Sequence, residues 1–135
     1  MMNSEQEILE HAALSLNPLA GLIHLRNIQA GWWPVNEDGT TGERNVPEML
    51  CLIHSEISEA MEGYRKGLQD DKLPQYPMII VELVDALIRE FDLLGNLCLK
   101  HEVDLAEVFL AKLAFNANRA DHKLENRMKE GGKKF

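Results

Sequence analysis

This 135-residue chain is poor in cysteine, short of basic charge and without long apolar runs, and each shortage removes a class of protein. Its two cysteines, Cys51 and Cys98, each sit inside an apolar helical stretch, so reduced core thiols are expected and not a disulfide framework. Bases number 14 against 22 acids, a formal charge of −8, so the basic surface of a polyanion binder is missing. No nucleic-acid polymer is expected as partner. No segment reaches about 18 consecutive apolar residues, which leaves neither a spanning helix nor a membrane partner. The opening MMNSEQEILEHAAL has no basic n-region followed by an apolar run, so it does not resemble a secretory signal. A cytoplasmic location is the expectation. Internal repeats, low-complexity linkers and convincing strands are also absent.

What remains is a helical chain. A hydrophobic share of 45% is enough for a core, and the length fits one domain, 1–135, with its core over about 17–128 and a mobile tail over about 129–135. A lone chain of this size leaves apolar surface uncovered, and long helices commonly complete the burial by pairing with a copy. The expected fold is therefore all-α: an antiparallel bundle of four to five helices, completed by homo-oligomerisation.

Asn3 or Ser4 is placed to cap a first helix reaching about residue 16, with Glu5 and Glu7 at its positive end. Asn17-Pro18 restarts the chain into a second helix that ends near Gly31. Residues 34–45, PVNEDGTTGERN, read as a loop. From 46 to 64 apolar residues step by three or four (Met49, Leu50, Ile53, Ile57, Ala60, Met61), which predicts an amphipathic helix stopped at Gly67. The next helix, about 77–100, is apolar around most of its circumference and belongs at a bundle centre. Asp104 caps a last helix running to about 128, with Leu105, Val108, Phe109, Leu113, Ala117 and Ala120 facing inward.

Two acidic pairs interrupt these patterns. Glu56-x-x-Glu59 lies on the 46–64 helix and Glu82-x-x-Asp85 on the next. A spacing of three puts both carboxylates of a pair on one helix face. The short connection makes the two helices antiparallel neighbours, so the pairs meet across the seam. Four converging carboxylates repel unless they take up protons or share a cation. Mg²⁺ suits them as a hard ion with oxygen ligands, with Mn²⁺ as a substitute. A solvated or salt-bridged face explains a single such pair; two pairs on consecutive helices, one of them nearly all apolar, point to metal.

Glu56-x-x-Glu59 followed by Glu82-x-x-Asp85 is similar to the signature of MazG-like all-alpha nucleoside triphosphate pyrophosphohydrolases, over about residues 20–124. Ser55 stands where that pattern often has the first of two adjacent glutamates, which leaves the number of ions open. Lys112-x-x-x-Asn116-x-x-Arg119 resembles the family's downstream basic and amide positions. The resemblance implies Mg²⁺-dependent cleavage of a (d)NTP to a (d)NMP and pyrophosphate, in nucleotide-pool sanitation or balance. It also implies a homodimer or homotetramer.

On this reading Glu56, Glu59, Glu82 and Asp85 hold the metal, and Glu56 or Glu59 (Glu59 first) takes a proton from water. Lys112, Asn116, Arg119 and Lys123, at steps of four, three and four, line one helix face suited to a triphosphate. Trp32 and Trp33 end the second helix; one of them stacks a base or plugs the bundle end, and His24 lines the same base pocket, although a core or surface histidine is the plainer reading. Arg44 is within reach of a phosphate, although a loop cation is the plainer reading. The alternatives are dUTPase-like or phosphoribosyl-ATP pyrophosphohydrolase activity, and a non-catalytic helical regulatory or binding dimer.

Overall fold

A computed structural model describes residues 4–135, all-helical and, among those residues, without a named strand. Five longer helices carry the fold: α1 (Glu5–Ala13), α2 (Leu16–Gln29), α3 (Val46–Lys66), α4 (Met78–His101) and α5 (Leu105–Asn118). A 3-10 turn, Ala120–His122, and a four-residue α6, Leu124–Arg127, follow. Among the described residues no helix is long and apolar enough to cross a membrane. The chain divides into two compact units, 19–100 and the paired segments 1–18 and 101–135.

The helix ends are set by local chemistry. Ser4 caps α1 through a reciprocal pair of bonds with Glu7, while Asn3 lies outside the described residues. Asn45 accepts from the Glu48 N–H at the start of α3, and Gly67, at φ 62°, closes that helix in the left-handed conformation that its missing Cβ permits. Between α3 and α4, the Asp70 carboxylate accepts from the Lys72 and Leu73 N–H groups and fixes the turn.

In the unit 19–100, α3 and α4 run antiparallel: Gly63 meets Met78, and further along the seam Glu56 meets Arg89. A buried cluster of Trp33, Met49 and Leu93 gathers Ile28, Val46, Ile53 and Leu97 around it. Helix α2 packs on α4 through Gly95, where an added Cβ would stand 2.8 Å from both the Ala20 carbonyl oxygen and His24 Cβ. In the other unit α1 contacts α5, and Asn17 donates to the Asp104 carboxylate at 3.1 Å while accepting from the Ala106 N–H at 3.0 Å. Asp104 also caps α5 through the Glu107 N–H.

Two expectations are corrected. The last long helix stops at Asn118 and not near 128, because Arg119 turns to extended backbone (φ −70°, ψ 128°) and forks onto Asp121. The C-terminal residues fold back, with Arg127 donating to the Lys133 and Lys134 carbonyls. Side chains expected inside are also open: Val108, Phe109 and Leu113 on α5, several residues of α4, and Cys51.

Gly95→Ala tests the α2–α4 contact. Overpacking against a backbone oxygen costs about 1–3 kcal/mol and outweighs the up to ~1 kcal/mol of helix propensity that alanine adds. A lower urea midpoint is expected; a raised one would show that α2 moves away freely.

Candidate functional site

Helix α3 presents Glu56 and Glu59 and helix α4 presents Glu82 to a common point, where carboxylate oxygens of the three lie within 4.8 Å of one another. Glu56 is buried, Glu82 half-buried and Glu59 exposed. Asp85, the fourth expected ligand, lies outside this trio, although its charge still interacts with that of Glu56. One turn further along α4, Arg89 reaches back across the seam and donates from Nε to Glu56 Oε1 at 2.7 Å. This ion pair was not expected from the sequence. Its signal was the continuation of the acidic stripe of α4 by a base at a spacing of four, 85 to 89.

The electrostatics follow from this crowding. Burial, then the Glu59 charge and a hydrogen bond shared with Glu56, push Glu82 up to about 7. Burial and the Glu56 charge raise Asp85 as well, against the pull of Arg89. Burial alone would raise Glu56; the Arg89 guanidinium, with hydrogen bonds from Glu59 and Glu82, brings it below its ordinary value instead.

Glu56, Asp85 and Arg89 also form one wall of a cavity of about 460 Å³, completed by Asn27, Trp32, Arg44, Glu48 and Asp92 among others. That volume lies within the usual range of small-molecule sites. Of the three residues expected at a base, only Trp32 is exposed in this wall. Trp33 and His24 are buried at 3% and 4% and turn to Asp92, itself 2% exposed. Trp33 Nε1 donates to Asp92 at 2.9 Å, His24 Nδ1 lies 2.9 Å from the same oxygen, and the two rings meet edge-on. These two residues close the core, the second of the roles open to the tryptophans.

The cation and amide positions of the downstream segment lie in the other compact unit. Lys112 and Arg119 bracket the Phe115 ring, and Asn116 is half-buried. Lys123 stands at the start of α6, so the four residues do not share a single helix face. No protein-family model, curated protein or solved structure matches the chain.

Two measurements probe this region. Asp92→Ala leaves the His24 and Trp33 donors buried without their acceptor, and a loss of about 2–4 kcal/mol in urea unfolding is expected; a loss below about 1 kcal/mol would show that water replaces the carboxylate. Between pH 4.5, the ordinary glutamate value, and about 7, the folded chain keeps a proton on Glu82 that the unfolded chain has released. Stability in a chelator therefore falls as pH rises through that window, and Asp85 adds in the same direction. Glu82→Gln flattens the slope of melting temperature against pH; an unchanged slope in this variant would remove Glu82 as its source.

Proposed function

We propose that the chain is a nucleotide pyrophosphohydrolase that hydrolyses nucleoside triphosphates between the α and β phosphates, with Mg²⁺ as its ion and Mn²⁺ as a substitute. The observation that carries this reading is the Glu56–Glu59–Glu82 trio within 4.8 Å, sharing Glu56 with a cavity that also holds Arg44, Arg89 and Trp32. The donor set fits a hard divalent ion, since all three ligands are carboxylate oxygens crowded enough to keep a proton on Glu82 near neutral pH. When bound, Mg²⁺ supplies charge neutralisation for the phosphates and a lowered pKa for water. Glu56, Glu59 and Glu82 hold it. Asp85, in the cavity wall but outside the trio, is better placed than Glu59 to accept the proton of the attacking water. Trp32 offers an exposed ring for a base and Asn27 an amide for its edge.

The acid pairs that resemble the MazG-like signature support the same reaction, and dUTPase-like or phosphoribosyl-ATP pyrophosphohydrolase activity differs from it only in the base pocket. A homodimer or homotetramer is part of the proposal, because α3 and α4 carry wide exposed apolar faces. Those same faces favour a second reading, a helical dimer without catalysis.

A panel of nucleoside triphosphates, dNTPs, dUTP and phosphoribosyl-ATP, assayed with Mg²⁺ and separate detection of pyrophosphate and orthophosphate, decides between them. Pyrophosphate is expected. Glu59→Gln and Glu82→Gln should each lower turnover more than about a hundredfold, beyond what outer-shell changes alone usually cause, with the melting temperature preserved or raised. Orthophosphate alone would reject the bond assignment. Undiminished turnover in both variants would reject the site.

A further inference from the structure

The cations of this chain differ in how far they are already committed. Arg89 gives its Nε to Glu56, Lys100 is bonded to Glu43, and Arg119 is forked onto Asp121. Arg44 is different. It lies in the wall of the cavity that contains Glu56 and Asp85, directly before Asn45, the cap of α3. Among the described residues its guanidinium has two contacts. It sits 5.3 Å over the centroid of the Trp33 ring, and one terminal nitrogen is 4.0 Å from Asp92 Oδ2. Neither is a hydrogen bond, since 4.0 Å exceeds that range.

The group is therefore held in place while its donors remain uncommitted. The Trp33 ring that supports it is fixed by the Nε1 bond to Asp92, a carboxylate buried at 2% exposure and anchored also by His24. The Arg44 side chain is itself only 19% exposed, so its position is set by these neighbours and not by solvent. A planar guanidinium with free donors, pre-positioned at a cavity wall, is a fork for two oxygens of a phosphate. The same wall carries Glu48, Glu56, Asp85 and Asp92, so a free polyanion is repelled there and only one whose charge is partly neutralised by a divalent ion fits.

We propose that Arg44 is the anion ligand of this site, receiving the outer phosphates of a metal-complexed polyphosphate, with Trp33 and Asp92 as its positioning residues. This inference rests on the metal and nucleotide reading above and adds the residue that takes the polyphosphate end, which the downstream Lys112–Lys123 segment was expected to do. Arg44 binds and orients; it exchanges no proton and forms no bond.

Calorimetry separates the two layers of the proposal. Mn²⁺ is titrated into the full-length protein alone, and inorganic tripolyphosphate is then titrated at saturating Mg²⁺. Arg44→Gln is expected to weaken tripolyphosphate binding about tenfold or more while Mn²⁺ affinity stays within about twofold. Arg44→Lys, which keeps the charge but loses the fork, should fall between Gln and wild type, and it carries the comparison alone should the Gln variant not fold. Tripolyphosphate binding unchanged in Arg44→Gln, or in Arg44→Lys in that case, overturns the role of Arg44 and leaves the metal site standing. Mn²⁺ and tripolyphosphate weakened equally would also overturn it, showing that Arg44 acts through the ion site. Absence of any Mn²⁺ binding to wild type overturns the functional reading, and this inference with it.

Discussion

A single polar stripe on α4 organises the unit formed by residues 19–100. Glu82, Asp85, Arg89 and Asp92 recur at steps of three, four and three, so they line one face of the helix. That face is turned toward the protein. Glu82 meets Glu56 and Glu59, Arg89 meets Glu56, and Asp92 receives His24 and Trp33. Charge at a helix contact is tolerated only when it is paired, bonded or shared with an ion, and the stripe meets the requirement differently at its two ends. At the Asp92 end His24 of α2 and Trp33 of the following loop satisfy one carboxylate, with Arg44 4.0 Å away. At the Glu82 end the acids outnumber Arg89, and the excess appears as a proton retained on Glu82.

This asymmetry separates scaffold from chemistry. Asp92 ties α2, through His24, to the Trp33 segment and α4 in a network of satisfied partners, the condition under which a buried polar group rigidifies its surroundings. The Glu56–Glu59–Glu82 end is frustrated by comparison, because its acids outnumber the single base, Arg89, bonded to them. Arg89 stands between the two ends and moderates the frustration through Glu56. The cavity spans the same interval, with Asp92 and Arg44 toward the scaffold and Glu56 and Asp85 toward the acids. A ligand with one cationic complex and one anionic end would meet both.

Much of this arrangement was legible in the sequence because helical spacing is a strong signal. Glu56-x-x-Glu59 and Glu82-x-x-Asp85 imply shared faces, the short 67–77 connection implies antiparallel neighbours, and three of the four carboxylates do converge. What spacing cannot give is how far a side chain swings once its face is known. Asp85 and Glu82 share a face, yet only Glu82 joins the trio. The two tryptophans are adjacent, and no periodicity decides which enters the core; the Asp92 acceptor decides it, and that bond joins positions 59 apart in the chain. The break after Asn118 was hidden for a related reason. The apolar pattern runs on past it, but an Arg119–Asp121 fork two residues apart favours extended backbone at Arg119 over another helical turn.

The other side of α4 is apolar. Ile80, Leu83, Val84 and Leu87 also recur at helical spacing and fall on the side opposite the polar stripe, where they are 46–54% exposed. Ile57, Met61 and Tyr64 form a similar exposed row on α3. Over this stretch α4 turns its polar stripe toward α3 and its aliphatic side chains outward, inverted relative to the ordinary amphipathic arrangement, while further along Leu93 and Leu97 pack in the core. In water this inversion is unfavourable for an isolated chain, since each uncovered aliphatic side chain forgoes roughly 1 to 2 kcal/mol of burial. A second copy laid against the apolar side of α4 removes the conflict without touching Glu82, Asp85, Arg89 or Asp92, because they lie on the far face of the same helix. The geometry thus makes assembly and an open acidic cavity compatible, and this supports placing the homo-oligomer and the metal site in one proposal.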